Sequence, residues 1–100
     1  MDNKRIVSGS SDHSIKIWNA ESGELINTLN GHTGSVNSVC FSSDNERIIS
    51  GSGDRSIKIW NTATGQLIKT LNGHTDTIWS VCCSPSYDNV LIEKLKKLIN

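Results

Sequence analysis

The chain has a single proline in its 100 residues, no excess of either charge and no long apolar run. Each absence closes a class. With one proline and no Gly-X-Y period, collagen-like and low-complexity chains are excluded. No window approaches the ~20 apolar residues of a membrane helix, and the opening MDNKRIVSGS has no signal-peptide core. Lys and Arg number 10 and Asp and Glu number 10, so no broad surface for nucleic acid or for an anionic membrane is expected. Cysteine is sparse too: Cys40, Cys82 and Cys83 make an odd count without C-x-x-C spacing, which argues against a disulfide framework or a zinc site. They read as small, buried, reduced strand residues. A cytoplasmic location, with the nucleus as the alternative, is the expectation.

What the chain does contain is repetition. Residues 30–33 read NGHT, and so do residues 72–75; residues 14–19 and 56–61 both read SIKIWN. The histidines are 74 − 32 = 42 apart and the tryptophans 60 − 18 = 42 apart. At that offset, residues 1–42 match residues 43–84 at 27 positions, which indicates internal duplication. A period of 40–45 residues with a Gly-His start and a Trp-Asp-like end marks a four-stranded propeller blade.

Within each period the pattern is strand and turn. Residues 4–10, 14–18, 24–29 and 35–41 are expected as strands, and 46–51, 56–60, 66–71 and 77–83 repeat them. In 14–18, Ile15 and Ile17 point to one face, Lys16 and Trp18 to the other. In 35–41, alternation sets Val36 and Cys40 against Val39 and Phe41. Gly23 is placed to supply a positive φ in its turn. The fold class is therefore all-β and antiparallel. After Ser84 the repeat stops, and Leu91, Ile92, Leu95, Leu98 and Ile99 fall on a helical stripe that predicts a short C-terminal helix over 90–99. Asp88 or Asn89 could cap it, and Glu93 with Lys97 is a favourable i,i+4 pair. Covering an apolar edge is its expected role; Lys94, Lys96 and Lys97 are thin support for a calmodulin-type or membrane-surface helix.

NGHT, SGSGD and SIKIWN, at their mutual spacing and nearly twice over, resemble the WD-repeat β-propeller family across roughly residues 3–85. The chain departs from that pattern in carrying Trp18-Asn19 and Trp60-Asn61 for Trp-Asp, in having about two repeats where closed propellers have four to eight blades, and in breaking off after one strand of the next. The resemblance implies strands a to d of one complete blade at 35–71. It implies strands b, c and d of the preceding blade within 4–29, and strand a of the following one at 77–83. It also implies a buried hydrogen-bond network of His32, Ser50, Asp54 and Trp60. The roles are chemically consistent: indole N–H donates, carboxylate accepts, and Ser and His relay. Ser8, Asp12 and Trp18 form a partial set without a histidine, and His74 stands without partners.

Sharper chemistry fares poorly. Ser50, His32 and Asp54 have the composition of a hydrolase triad, but there is no G-x-S-x-G turn, and Trp60 engages the serine. Residues 51–54 (GSGD) precede a strand, so they are hairpin residues and not a phosphate loop. His13, His32 and His74 have no metal-ligand spacing. Trp79, which stands where Asn37 stands one repeat earlier, is placed by the resemblance at the narrow mouth where partner peptides dock, with Ser35 and Thr77 as weaker candidates. The alternative is that Trp79 packs against a neighbouring strand or the tail. The family implies a non-enzymatic platform for protein–protein contact, without cofactor or metal, whose partners are proteins or further WD repeats. The chain then reads as a fragment of a longer propeller or an orphan piece. A structural module that self-associates head to tail, a homo-oligomer, is the alternative.

Overall fold

The computed structural model describes residues 5–82. The expected helix at 90–99, Cys83 and the rest of the tail lie outside the described residues.

Ile-Lys-Ile-Trp alternation produces strands wherever a turn lets the chain reverse, and the result is two antiparallel meanders. The first sheet holds β1 (Arg5–Gly9), β2 (Ile15–Asn19) and β3 (Leu25–Leu29); the second holds β4 (Val36–Phe41), β5 (Arg47–Ser52), β6 (Ser56–Asn61) and β7 (Leu67–Asn72). The pairing repeats with the sequence period. Ile6 lies opposite Trp18 and Ile48 opposite Trp60; Lys16 lies opposite Thr28 and Lys58 opposite Thr70. Each lysine Nζ donates to its threonine Oγ1, at 3.3 Å and 3.0 Å.

The turns explain why asparagine serves after each tryptophan. Asn19 Oδ1 accepts from the amides of Glu21 and Ser22 at 2.8 and 3.0 Å. Asn61 Oδ1 does the same for Ala63 and Thr64 at 2.9 and 3.0 Å. An amide oxygen is enough for this Asx-type turn, so no carboxylate is required. Gly23 and Gly65 close the two turns at φ 79° and 78°, where a Cβ would be strained.

The sheets pack face to face. Ile15, Ile17 and Leu29 of the first meet Val36, Ile48 and Trp60 of the second, with Val7, Val39 and Phe41 at the margin. The other face of the second sheet carries Ile49, Ile57 and Ile59, which Ile78 and Val81 cover. Full burial of such an isoleucine contributes about 1.5–3 kcal/mol. Ile48 is 0% exposed, whereas its equivalent Ile6 is 52% exposed, because no other sheet among the described residues packs on that face.

Three sequence expectations are corrected. Residues 77–82 run along the second sheet but enter no ladder: Ile78 N–H donates to Ser52 O at 3.0 Å, as Val36 N–H donates to Ser10 O one repeat earlier. The place of strand a is occupied, but no strand b pairs with it among the described residues. Val36 and Cys40 do not share a face, because a register shift between Val36 and Ser38 turns Val36 into the cluster that Val39 and Phe41 line, and leaves Cys40 on the other. Cys82, expected buried, is exposed.

Candidate functional site

The polar centre lies between the sheets; the second sheet and its hairpin supply three members, and the connection from the first sheet supplies the fourth. His32 comes from the connection between β3 and β4. Ser50 lies on β5, Trp60 on β6, and Asp54 in the hairpin joining them. Trp60 Nε1–H donates to Ser50 Oγ at 3.0 Å; Ser50 Oγ lies 2.7 Å from His32 Nε2; His32 Nδ1 lies 2.8 Å from Asp54 Oδ2. Indole can only donate and carboxylate only accepts, so the neutral Nδ1–H tautomer fits every bond: Ser50 O–H donates to Nε2, and Nδ1–H donates to Asp54. The His32 ring meets the Trp60 indole edge-on, with centroids 6.2 Å apart.

Asp54 is the anchor. Besides His32, its Oδ2 accepts the Thr33 amide at 3.0 Å, and its Oδ1 accepts the Ser56 amide at 2.9 Å and the Ser56 hydroxyl at 2.6 Å. Burial pushes this carboxyl up, but the Ser56 hydroxyl, His32 and the two amides outweigh it and hold it far below the usual carboxylate range. For His32, burial is the largest influence and lowers its affinity for a proton. The hydrogen bond and charge of Asp54 oppose this without overcoming it. His32 is neutral at pH 7.

The bond order Ser–His–Asp matches that of a hydrolase triad, but the site cannot act as one. Ser50 is 0% exposed, and its oxygen already accepts the Trp60 indole N–H, so no substrate carbonyl can approach it. Among the described residues, no group of three or more His, Cys, Asp or Glu could hold a metal ion. What the arrangement does chemically is lock two sheets together.

The partial sets have the same local geometry without the relay. Trp18 Nε1–H donates to Ser8 Oγ at 3.0 Å, and Asp12 Oδ1 accepts the Ser14 amide at 3.0 Å and hydroxyl at 2.6 Å. Hydrogen bonds from the Ser14 hydroxyl and amide hold the Asp12 carboxyl below its usual range. No histidine reaches Ser8. His74 is 7% exposed, and neither ring nitrogen has a hydrogen-bond partner among the described residues.

Of the residues expected at the mouth, Trp79 is 69% exposed. Asn37 is exposed, but its Nδ2 donates to the Ile78 carbonyl at 2.9 Å, so it tethers the next segment. Ser35 and Thr77 are half-buried, and the Ser35 carbonyl accepts the Gly53 amide at 2.8 Å. Sequence reasoning missed two contributors. Ser56 and its equivalent Ser14 complete each aspartate, a role signalled by the recurring Asp-x-Ser spacing. Ser38 Oγ accepts the Val81 amide and donates to the Val81 carbonyl, both at 3.1 Å, and nothing in the sequence marks that contact.

The two meanders and their inter-sheet relay agree with the family comparison: the model for WD domain, G-beta repeat, matches residues 1–19, 23–61 and 65–92. The chain belongs to the WD40-repeat family. Coatomer subunit beta'-2 of Arabidopsis thaliana is 40% identical over 40 residues, 40% of this WD40 chain and 4% of that protein. GID complex subunit 7 of Schizosaccharomyces pombe is 46% identical over 41 residues, 41% of this chain and 8% of that one. The small ribosomal subunit protein RACK1y of Oryza sativa is 51% identical over 39 residues, 39% and 12% of the respective chains. The crystal structure of the RRP9 WD40 repeats superposes with a TM-score of 0.75 at 35% identity, over 79% of this chain and 24% of that one. The chain thus spans a small part of the length of each protein it matches. WD40 domains act as protein-interaction scaffolds, and these relatives include subunits of complexes.

Proposed function

We propose that the chain is a non-enzymatic protein–protein interaction module, a partial propeller whose open face is completed by further blades. The observation that carries this is the contrast between equivalent residues. Ile48 and Trp60 are sealed between sheets, while Ile6 is exposed and Trp18 half-buried on a face of the same composition. An apolar, strand-edged face of this kind is a blade interface without its neighbour. The neighbours come from a longer propeller of which this is a part. Trp79, solvent-facing beside the tethering Asn37, is the proposed anchor for a partner peptide. A cytoplasmic or nuclear setting keeps Cys40 and Cys82 as thiols.

The test is the chain alone in solution. Size-exclusion chromatography with light scattering and urea melts should show an associated or poorly cooperative species that binds a hydrophobic dye. A folded, cooperative monomer at tens of micromolar, with or without residues 86–100, would refute the reading. A second reading, completion by copies of the same chain, is favoured by one observation: His74 is buried without a partner, while Ser8, Asp12 and Trp18 await a histidine.

A further inference from the structure

We infer that His74 of one copy completes the network of Ser8, Asp12 and Trp18 in a second copy, joining copies head to tail in a defined register. The inference rests on the second reading above and adds the residues of the junction.

The existing sheet-to-sheet junction provides the template. There, a histidine leaves one sheet after its last strand and enters the next sheet between a serine on the first hairpin strand and an aspartate in the hairpin. His74 leaves the second sheet after β7 in the same way, one period after His32. Its ring is already withdrawn from water, with both nitrogens unsatisfied among the described residues. A buried imidazole without partners is costly, and the cost ends if it finds one acceptor and one donor. The first sheet offers both. Ser8 Oγ accepts from Trp18, which leaves its hydroxyl hydrogen to donate, as Ser50 does to His32. Asp12 holds Ser14 with Oδ1, and its Oδ2, the counterpart of the oxygen that holds His32, has no hydrogen bond among the described residues. The donor–acceptor balance closes: His74 Nδ1–H to Asp12 Oδ2, and Ser8 O–H to His74 Nε2.

The backbone agrees. In the existing junction Val36 pairs with Ser52, Val39 with Ser50 and Cys40 with Ile49. Moving the first partner forward and the second back by the period of 42 pairs Ile78 with Ser10, Val81 with Ser8 and Cys82 with Val7 of the next copy. Residues 78–82 of one copy thus become the missing edge strand beside β1 of the next. The contact is heterologous and ends either in a closed ring or in a fibre.

Complementation tests it, using the full chain. Asp12→Asn keeps an oxygen for the Ser14 turn but cannot serve both Ser14 and His74; His74→Ala removes the incoming ring. Sedimentation velocity should show each variant associating about ten-fold or more weakly than the unmodified chain. An equimolar mixture should recover association as heterodimers, because His74 of the Asp12→Asn copy meets an intact Asp12 in the His74→Ala copy. Unchanged association of both variants, or a mixture that associates no better than either alone, would overturn the proposal and leave the scaffold reading standing. A second measurement does not depend on either variant folding well. Val7→Cys in a Cys40→Ser, Cys83→Ser background should form a disulfide with Cys82 of another copy on mild oxidation. No intermolecular crosslink at concentrations where the chain associates would also overturn it.

Discussion

Replacing Asp54 with alanine removes the acceptor for four hydrogen bonds at once: His32 Nδ1–H, the Thr33 and Ser56 amides and the Ser56 hydroxyl. They are not equally costly. Thr33 is exposed and its amide can turn to water, and Ser56 loses a turn-closing contact of the kind that typically costs ~1 kcal/mol. His32 is different, because its side chain is sealed between the sheets, and leaving a buried donor unpaired costs about 1–3 kcal/mol. The expected loss for Asp54→Ala is therefore about 2–4 kcal/mol. Asp12→Ala is the internal control. It removes the same two bonds to serine, here Ser14, but no histidine of its own copy depends on it, so in melts run below the concentration at which copies associate the loss should be about 1 kcal/mol. Urea melts of both variants under identical conditions measure the difference directly. Equal losses would refute the claim that the carboxylate matters chiefly through His32.

Three other outcomes follow from the same geometry. His32 binds a proton less readily folded than unfolded and Asp54 ionises more readily folded, so the unfolded chain binds more protons; stability should fall as pH drops through about 6.5 and again near 3.8, and a urea midpoint that stays flat from pH 7.5 to 3 would contradict both assignments. A Cβ on Gly9 would sit 2.6 Å from Val36 Cγ1 and 3.0 Å from its carbonyl oxygen, within a fixed ladder, whereas on Gly51 it would sit 2.7 Å from Ile78 Cγ2 on an unladdered segment. Gly9→Ala should therefore cost about 1–3 kcal/mol in a thermal melt and Gly51→Ala less, the reverse order counting against the description of residues 77–82. Trp79→Ala should move the melt by no more than about 0.5 kcal/mol and leave the β-sheet circular dichroism intact, while partner binding weakens; a large loss of stability would mean that the indole packs within the fold.

The strands were readable because Ile-Lys-Ile-Trp alternates with the pleat, and the repeat fixed which strand is equivalent to which. The members of the relay were readable as a resemblance, with a chemical logic to support them. Their consequences were not. The shift that rotates Val36 depends on how two strands fit together, and alternation within one strand carries no trace of it. Residues 77–82 have the composition of a strand, but a ladder needs a second strand, and none pairs with them among the described residues. Asn37 was expected at the mouth as the equivalent of Trp79 one repeat earlier. Its bond to the Ile78 carbonyl appears only once the next segment lies beside it.

The duplication also separates what a blade does alone from what it does with a neighbour. The bond from Trp18 to Ser8 is as long as that from Trp60 to Ser50, 3.0 Å, and Asp12 holds Ser14 at the same 2.6 Å as Asp54 holds Ser56. Those contacts form within a single sheet and do not need the histidine. Only the neighbouring sheet can supply His32, and with it come the burial of Trp60 and the closed relay. The local contacts shape the hairpin, and the histidine couples one hairpin to the next. Stability in such an array is a sum of what each unit holds alone and what each junction adds. An open array of blades always has one junction fewer than it has blades, and it leaves one histidine and one serine–aspartate pair unspent at its two ends. Among the described residues those are His74 and the pair Ser8–Asp12, and a ring, or a longer array, would use them.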